Sequence, residues 1–257
     1  MFKHFGLFLL LFPFTVLAQS DVDRVLFPVS SPEIGGAFGS RWATEHFIRN
    51  DGSAPVAINR DDCGPIACQV VIAPATSYRM PPATTKDHVW ISAPRAALPQ
   101  MYFSTVVRDV SRSVEPWGTS IPSATESDFR LDRMELLNVP SELTFRKNLR
   151  IYLIPQFVPG TSAEVTLAVR VFDFDAELAT SPSRRMIAEK QYTLRDTALV
   201  KQTDYLAIFD LDHDFPGLQS AQRLRVEVER VGSVETKLWA LLTVTNNNTQ
   251  HVTLFTP

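Results

Sequence analysis

Alternation of aliphatic and polar residues is the strongest structural signal in the second half of the chain. In the segment 164–173, four aliphatic residues share one face of an extended chain. They are Val165, Leu167, Val169 and Val171. The residues at positions 166, 170 and 172 face the other way. A period of two predicts a β-strand with one buried face.

The segment 223–230 repeats this pattern with strongly charged polar positions. Its aliphatic face consists of Leu224, Val226 and Val228. Its charged face consists of Arg223, Arg225, Glu227 and Glu229. Further strands are predicted at 149–154, 207–211 and 239–244, and the last of these places Trp239 in an apolar core.

The first half contains shorter apolar runs that also favour strands, at 24–29, 43–49, 55–58, 69–72, 88–91 and 101–107. The tetrad Asn50-Asp51-Gly52-Ser53 is a strong turn signal, because Asn, Asp and Gly tolerate left-handed backbone. We therefore expect a hairpin over 43–60. Short, regularly spaced strands with turns between them are typical of β-sandwiches, and the fold class is predicted to be all-β.

A change in composition between Ser111 and Phe129 suggests two domains. This stretch is rich in Pro, Ser and Thr and has little periodicity. We predict an N-terminal β-sandwich over 21–118, a linker at 119–126 and a C-terminal sandwich over 127–257, each with its own core.

Residues 1–18 have the pattern of a cleaved signal peptide. Lys3 precedes an apolar run from Phe5 to Val16, and Ala18 provides a small residue before the expected cleavage site. We therefore expect a secreted or periplasmic protein. No later apolar run reaches the roughly 20 residues of a membrane helix. The net charge of −3 and pI near 6.0 disfavour a nucleic-acid partner.

Two segments resemble a known group of proteins. The first is Gly36-Ala-Phe-Gly-Ser-Arg-Trp-Ala-Thr-Glu45, which follows a Val-Leu-Phe-Pro-Val strand. The second is the C-terminal stretch from Leu238 to Thr253. Together they are similar to uncharacterised secreted bacterial proteins with two immunoglobulin-like sandwiches. The resemblance implies a bacterial source and two immunoglobulin-like domains in tandem, and it supplies no catalytic residue.

The only two cysteines, Cys63 and Cys68, enclose Gly-Pro-Ile-Ala. In an exported chain this spacing favours a local disulfide bond. The alternative is a redox or metal pair. Zinc requires four ligands, and His46 and His88 lie at no recognised ligand spacing.

The densest carboxylate clusters are Asp210-Leu-Asp212-His-Asp214 and Asp173-Phe-Asp175. The three aspartates of the first cluster could provide oxygen ligands for calcium, although no EF-hand pattern surrounds them. The alternative is a solvated loop. Paired carboxylates could also serve glycoside hydrolysis, but the sequence does not indicate a suitable separation.

The sequence contains no catalytic motif. The Gly-rich segment 35–39 lacks the Lys-Ser/Thr of a phosphate loop, and no Gly-x-Ser-x-Gly elbow occurs. We therefore expect no catalytic residue and no cofactor. A Ser–His pair inside a concave pocket would instead favour a hydrolase.

We predict an exported, non-enzymatic interaction or structural module of the bacterial periplasm or cell surface. It would bind an unknown protein or glycan through sandwich loops or sheet edges. The alternative is an accessory carbohydrate-binding module. Trp42 and Trp117 are the candidate stacking residues for that role, because Trp90 and Trp239 lie in apolar strands.

Overall fold

The computed structural model describes residues 21–35, 39–62, 68–82, 87–111, 118–155, 164–179, 183–195, 204–232 and 234–257. Antiparallel strands dominate these ranges, which confirms the all-β prediction. The predicted signal peptide at 1–18 lies outside the described residues. In the described part of the chain, no helix has both the length and the apolar character needed to cross a bilayer.

The first half forms two sheets. Their strands are β1 (Val22–Phe27), β2 (Ile34–Gly35), β3 (Arg41–Asn50), β4 (Val56–Arg60), β5 (Cys68–Ile72), β6 (Thr76–Arg79), β7 (Val89–Pro94), β8 (Met101–Asp109), β9 (Thr119–Ile121) and β10 (Ala124–Thr125). One sheet has the order β10-β1-β7-β4-β5, and the other has the order β2-β3-β8-β9 with β6 paired to β3. Short 3-10 helices occupy Arg95–Gln100 and Glu126–Asp128.

The second half also forms two sheets. Its strands are β11 (Arg133–Pro140), β12 (Phe145–Pro155), β13 (Glu164–Asp173), β14 (Met186–Arg195), β15 (Tyr205–Ile208), β16 (Arg223–Val231), β17 (Thr236–Asn246) and β18 (Val252–Phe255). The sheets have the orders β11-β16-β13-β14 and β15-β12-β17-β18. Two single-turn helices, α1 (Phe174–Leu178) and α2 (Leu211–Asp214), and a 3-10 helix at Leu218–Ser220 connect strands.

The predicted hairpin over 43–60 is wrong, because β3 and β4 belong to different sheets. The turn after Asn50 carries the chain from one sheet to the other. Asn50 is fully buried, and its amide nitrogen donates to the carbonyls of Ala54 (2.9 Å) and Ile72 (3.0 Å). Its carbonyl oxygen accepts from the Gly52 amide at 2.9 Å. These bonds fix a crossover where the turn residues alone suggest a hairpin.

The segment 119–126, predicted as a linker, is part of the first half. β9 pairs with β8, and β10 pairs with β1. Ile121 and Ala124 are buried. Hydrogen-bonded edge strands and buried apolar side chains therefore replace the exposed tether that the composition suggested.

The two halves share part of their core, whereas the sequence had suggested a separate core for each. In β1, Phe27 packs into the core of the first half, whereas its neighbour Leu26 packs into the core of the second half. In β7, Ile91 likewise packs into the core of the first half, and Trp90 packs into the core of the second half. Because successive strand residues point to opposite faces, β1 and β7 are buried on both faces, one of them against the second half.

Candidate functional site

A groove of about 510 Å³ lies where the two halves meet. The first half lines it with Val29, Ser30, Ser31, Ile34, Gly35, Trp42, Thr44, Asp87, Val107, Thr119 and Ile121. The second half lines it with Arg146, Arg150, Phe209, Thr243, Thr245, Gln250 and Val252. We call this cavity the junction groove. Its volume lies within the range of about 300–1,000 Å³ that is typical of small-molecule sites.

One wall of the junction groove comes from the sheet β2-β3-β8-β9. Trp42 and Thr44 project from the same face of β3, and Thr44 pairs across the ladder with Val107 of β8. The Trp42 indole NH donates to the Ser40 hydroxyl at 3.0 Å. This bond orients the half-buried ring and satisfies its polar group without a ligand. Trp42 therefore lies in the groove, whereas Trp117 lies outside the described residues.

The opposite wall is the outer face of β12 and β17. Arg146 lies opposite Thr245 in the ladder, and Arg150 follows on the same face of β12. The other face of β12 carries Leu149 and Ile151, which are fully buried inside the second half. The sequence period of two therefore places both arginines on the groove side.

Arg150 is also tied to the first half. Its guanidinium donates to the Pro28 carbonyl at 3.4 Å. Burial lowers the pKa of Arg150, but the hydroxyls of Tyr152 and Tyr205 and the Asp87 carboxylate raise it, and the net shift is upward. Arg150 therefore remains a cation on this wall of the groove.

A run of packed aromatic rings lies at the junction of the two halves. Ring centroids lie 5.5 Å apart for Trp90 and Phe129, 6.4 Å for Phe129 and Trp239, and 5.8 Å for Trp239 and Tyr152. The Tyr152 hydroxyl donates to the carbonyl of Pro28. Complete burial raises the pKa of Tyr152, so the hydroxyl stays protonated as a donor. These contacts hold the two walls of the groove together.

A serine–histidine pair lies at the edge of the groove. His46 Nε2 hydrogen-bonds with the Ser30 hydroxyl at 3.1 Å, and His46 Nδ1 hydrogen-bonds with the Thr105 hydroxyl at 2.9 Å. Ser30 is fully buried, and the His46 ring packs on Phe27 with a centroid distance of 4.7 Å. A hydroxyl at Nδ1 cannot stabilise an imidazolium as a carboxylate does.

The environment of His46 also makes it a weak base. Burial is the main cause that lowers its pKa to about 4, opposed by the Asp62 charge and reinforced by Arg60. A general base near neutral pH needs a pKa close to the working pH. The pair has the spacing that would favour a hydrolase, but its burial and low basicity support a structural role in the core of the first half.

Acidification is expected to destabilise the fold through His46. Unfolded histidine has a pKa near 6.5, so between that value and about 4 the unfolded chain binds more protons than the folded chain. The free energy of unfolding therefore falls as the pH drops below 6.5, by about 3 kcal/mol once the folded-state pKa is passed. Urea unfolding of the wild type and His46→Gln at about pH 7 and about pH 4 measures this loss.

The matched control is His213→Gln, because the His213 side chain is 84% exposed. The His46→Gln protein should lose less stability on acidification than the wild type, and the His213→Gln protein should lose as much as the wild type. Equal losses in all three proteins would contradict the assignment to His46.

The aspartates proposed as calcium ligands are held by different partners. Asp210 caps α2 through the His213 amide at 3.3 Å, and Asp212 accepts from Lys147 Nζ at 2.7 Å. Asp214 accepts from the Tyr192 hydroxyl at 2.7 Å and pairs with Lys190. In the described ranges, no group of three acidic, histidine or cysteine side chains is placed to hold a metal ion. The carboxylates thus secure α2 against neighbouring strands.

The second acidic cluster has a similar structural role. Asp173 accepts from the Ala176 amide at 3.1 Å and caps α1, and Asp175 forms an ion pair with Arg223. Of the two cysteines, Cys68 begins β5 and Cys63 lies outside the described residues. The disulfide bond therefore stays a prediction.

The sequence pointed to Trp42 but not to the rest of the groove. Arg146 and Arg150 share one face of β12, whereas Phe209 follows β15, and the sequence did not indicate that these residues meet Trp42. The one signal in the sequence was Phe209, a large apolar residue beside Asp210. In the structure, Phe209 is 63% exposed. An exposed aromatic residue in a concave surface is a common mark of a binding site.

No protein-family model and no curated protein matches the chain. Among solved structures, the chain is similar to a lectin from Pleurotus ostreatus in complex with GalNAc, with 6% sequence identity over 91% of this chain and 75% of that chain. The TM-score of 0.22 is too low for this likeness to carry an argument about fold or ligand.

Proposed function

We propose that the protein is an exported, non-enzymatic binding module of the bacterial periplasm or cell surface, and that its ligand occupies the junction groove. The observation that carries the proposal is a concave site of small-molecule size whose two walls come from different halves of the chain. The signal-like pattern of residues 1–18 supports export.

We further propose that the two halves are immunoglobulin-like sandwiches in tandem. In the second half, consecutive strands β12 and β13 lie in different sheets and pair with β15 and β16. This arrangement corresponds to the B–E and C–F pairs of the immunoglobulin fold. The first half pairs β3 with β8 and β4 with β7, which is a nested order. The support is therefore stronger for the second half.

Sheet edges are less suited than the groove to hold a partner. β14 is an edge strand of ten residues, but it carries Glu189, Lys190 and Arg195. Charged side chains on an edge strand disfavour the addition of another strand. The loops that take part in binding would then be those beside the groove, including the segment 29–35.

A carbohydrate ligand is the more specific form of this proposal. Trp42 offers an aromatic ring, and six serine and threonine side chains line the two walls. They are Ser30, Ser31, Thr44, Thr119, Thr243 and Thr245. Sugars combine apolar ring faces with many hydroxyl groups, so an aromatic platform surrounded by small hydroxyls is chemically complementary to them.

Trp42→Ala is expected to weaken glycan binding strongly while the fold is retained. The substitution removes the aromatic platform, and the half-buried position makes the loss of packing moderate. A glycan array read with the wild type and with Trp42→Ala measures the effect. Base–aromatic stacking in nucleic-acid sites is worth about 1–3 kcal/mol, and a similar loss here lowers affinity by about tenfold to a hundredfold.

Tyr102→Ala is the matched control, because Tyr102 is an exposed aromatic residue on β8 outside the groove lining. It should bind every glycan as the wild type does. Undiminished glycan binding by Trp42→Ala would move the ligand away from the groove, to other loops or a sheet edge. A wild type that binds no glycan would remove the carbohydrate form of the proposal.

A further inference from the structure

The junction groove has an unusual charge arrangement. Arg146 and Arg150 lie on the wall formed by β12 and β17, and Asp87 is the single carboxylate among the described residues that line the groove. Asp87 acts electrostatically on Arg150, whose guanidinium also donates to the Pro28 carbonyl. Arg146 is exposed, and no described side chain forms an ion pair with it. The groove therefore holds a cation that forms no ion pair with any residue in the described ranges.

Several other arginines of the second half form ion pairs with carboxylates, unlike Arg146. Arg170, Arg184 and Arg225 share the carboxylate of Glu227, and Arg223 pairs with Asp175. Even Arg195, on an exposed edge strand, pairs with Glu164. Arg146 instead faces Thr245 across the ladder, in a wall rich in hydroxyls. An arginine fork without a carboxylate partner, inside a concave site, is suited to a ligand carboxylate.

We propose that the ligand is a saccharide bearing a carboxylate, such as a uronic or sialic acid glycan. This inference rests on the proposed function of the groove. Arg146 donates to the carboxylate, and the sugar ring packs on Trp42 between the two threonine-bearing walls. An acidic peptide would satisfy Arg146 but would make little use of small hydroxyls on both walls, so charge and hydroxyl complementarity together favour the saccharide.

Arg146→Gln removes the positive charge of Arg146 while it keeps a polar side chain in the groove. The probes are uronic and sialic acid oligosaccharides, each paired with its methyl ester, which keeps the shape and removes the charge. The wild type should bind the acids more tightly than the esters, and less tightly as salt increases. Arg146→Gln should weaken acid binding by at least about tenfold and change ester binding by less than about twofold, as measured by calorimetry.

Two further variants sharpen the test. Arg195→Gln removes an exposed arginine outside the groove and should leave both affinities unchanged. Arg146→Lys keeps the charge without the planar fork and should recover part of the lost affinity. Thermal unfolding of each variant confirms that Arg146→Gln is folded, because the residue is exposed and makes no ion pair with a described residue.

The outcomes distinguish failure of this inference from failure of the proposed function. Equal affinities for acids and esters, or an Arg146→Gln protein that binds acids as well as the wild type, would overturn the carboxylate requirement. If Trp42→Ala still weakened glycan binding in that case, the groove would remain the binding site. Binding of a polyglutamate peptide through Arg146, with no glycan bound, would overturn the inference in favour of an acidic peptide.

Discussion

Replacement of Trp239 by alanine is expected to lower the free energy of unfolding of the whole chain by about 3–5 kcal/mol. Trp239 is 5% exposed and packs between Phe129 and Tyr152 at the junction of the two halves. The substitution leaves a cavity that is too apolar to fill with water. Because both halves contribute to this packing, urea unfolding followed by circular dichroism should show a single transition at lower urea concentration.

Trp42→Ala is the matched control for this experiment. Trp42 is half-buried at the groove and lies outside the aromatic run of the junction, so its removal should cost less stability than removal of Trp239. Two separate transitions, of which only the second-half transition moves in Trp239→Ala, would contradict the shared core.

Glu227→Ala is expected to lower the free energy of unfolding of the protein by about 3 kcal/mol. Glu227 is 1% exposed, and its carboxylate accepts from Arg170 at 3.1 Å, Arg184 at 2.5 Å and Arg225 at 2.9 Å. Burial raises the pKa of Glu227, but hydrogen bonds from Arg225 and Arg170 outweigh burial and hold the pKa below its usual value. Removal of the carboxylate leaves Arg225 with Glu135 and Glu177, and it takes a shared partner from three arginines in a buried cluster. Since Arg170 and Arg184 are partly solvated, we expect the lower end of the usual range for buried pairs.

Glu164→Gln provides the comparison for Glu227→Ala. Glu164 pairs with Arg195, and both side chains are mainly exposed, so the loss should be less than about 1 kcal/mol. Chemical denaturation of both variants at neutral pH measures the difference. Equal and small losses would show that the ion pairs around Glu227 contribute no more than a surface pair.

The sequence identified the interior faces of the second half well. The four aliphatic residues of β13 that alternate with polar ones are all buried, as are Leu224, Val226 and Val228 of β16. The opposite face of β16 was harder to predict. Arg225 and Glu227 are buried as well, because arginines from β13 and the segment before β14 meet there. A single-strand pattern contains no information about partners that arrive from other strands.

The junction was missed for a similar reason. In β17, Leu238, Ala240 and Leu242 face the core of the second half, whereas Trp239 and Leu241 face outward and are buried against the first half. The run from Trp239 to Leu242 is therefore apolar on both sides, as is typical of strands covered on both faces. The sequence contained this signal, but composition between the halves favoured a linker.

The candidate site was predictable only in part. Trp42 could be selected because a tryptophan outside an apolar strand is unusual. Arg146 gave no such signal, since its significance depends on the lack of an ion-pair partner among the described residues. The Ser30–His46 pair joins the end of one loop to the middle of β3, and only the folded arrangement reveals that it is buried.

Nitrogen–proton NMR of the tryptophan indole groups tests the central claim most directly. The sequence has tryptophans at positions 42, 90, 117 and 239, and each gives one indole NH signal. Substitution of each tryptophan in turn assigns its signal, because that signal disappears from the spectrum. Addition of the acidic oligosaccharides that bind on the array should shift the Trp42 signal in a saturable manner and leave the buried Trp239 signal in place. A shift of the Trp117 signal alone, with Trp42 unaffected, would contradict binding in the junction groove.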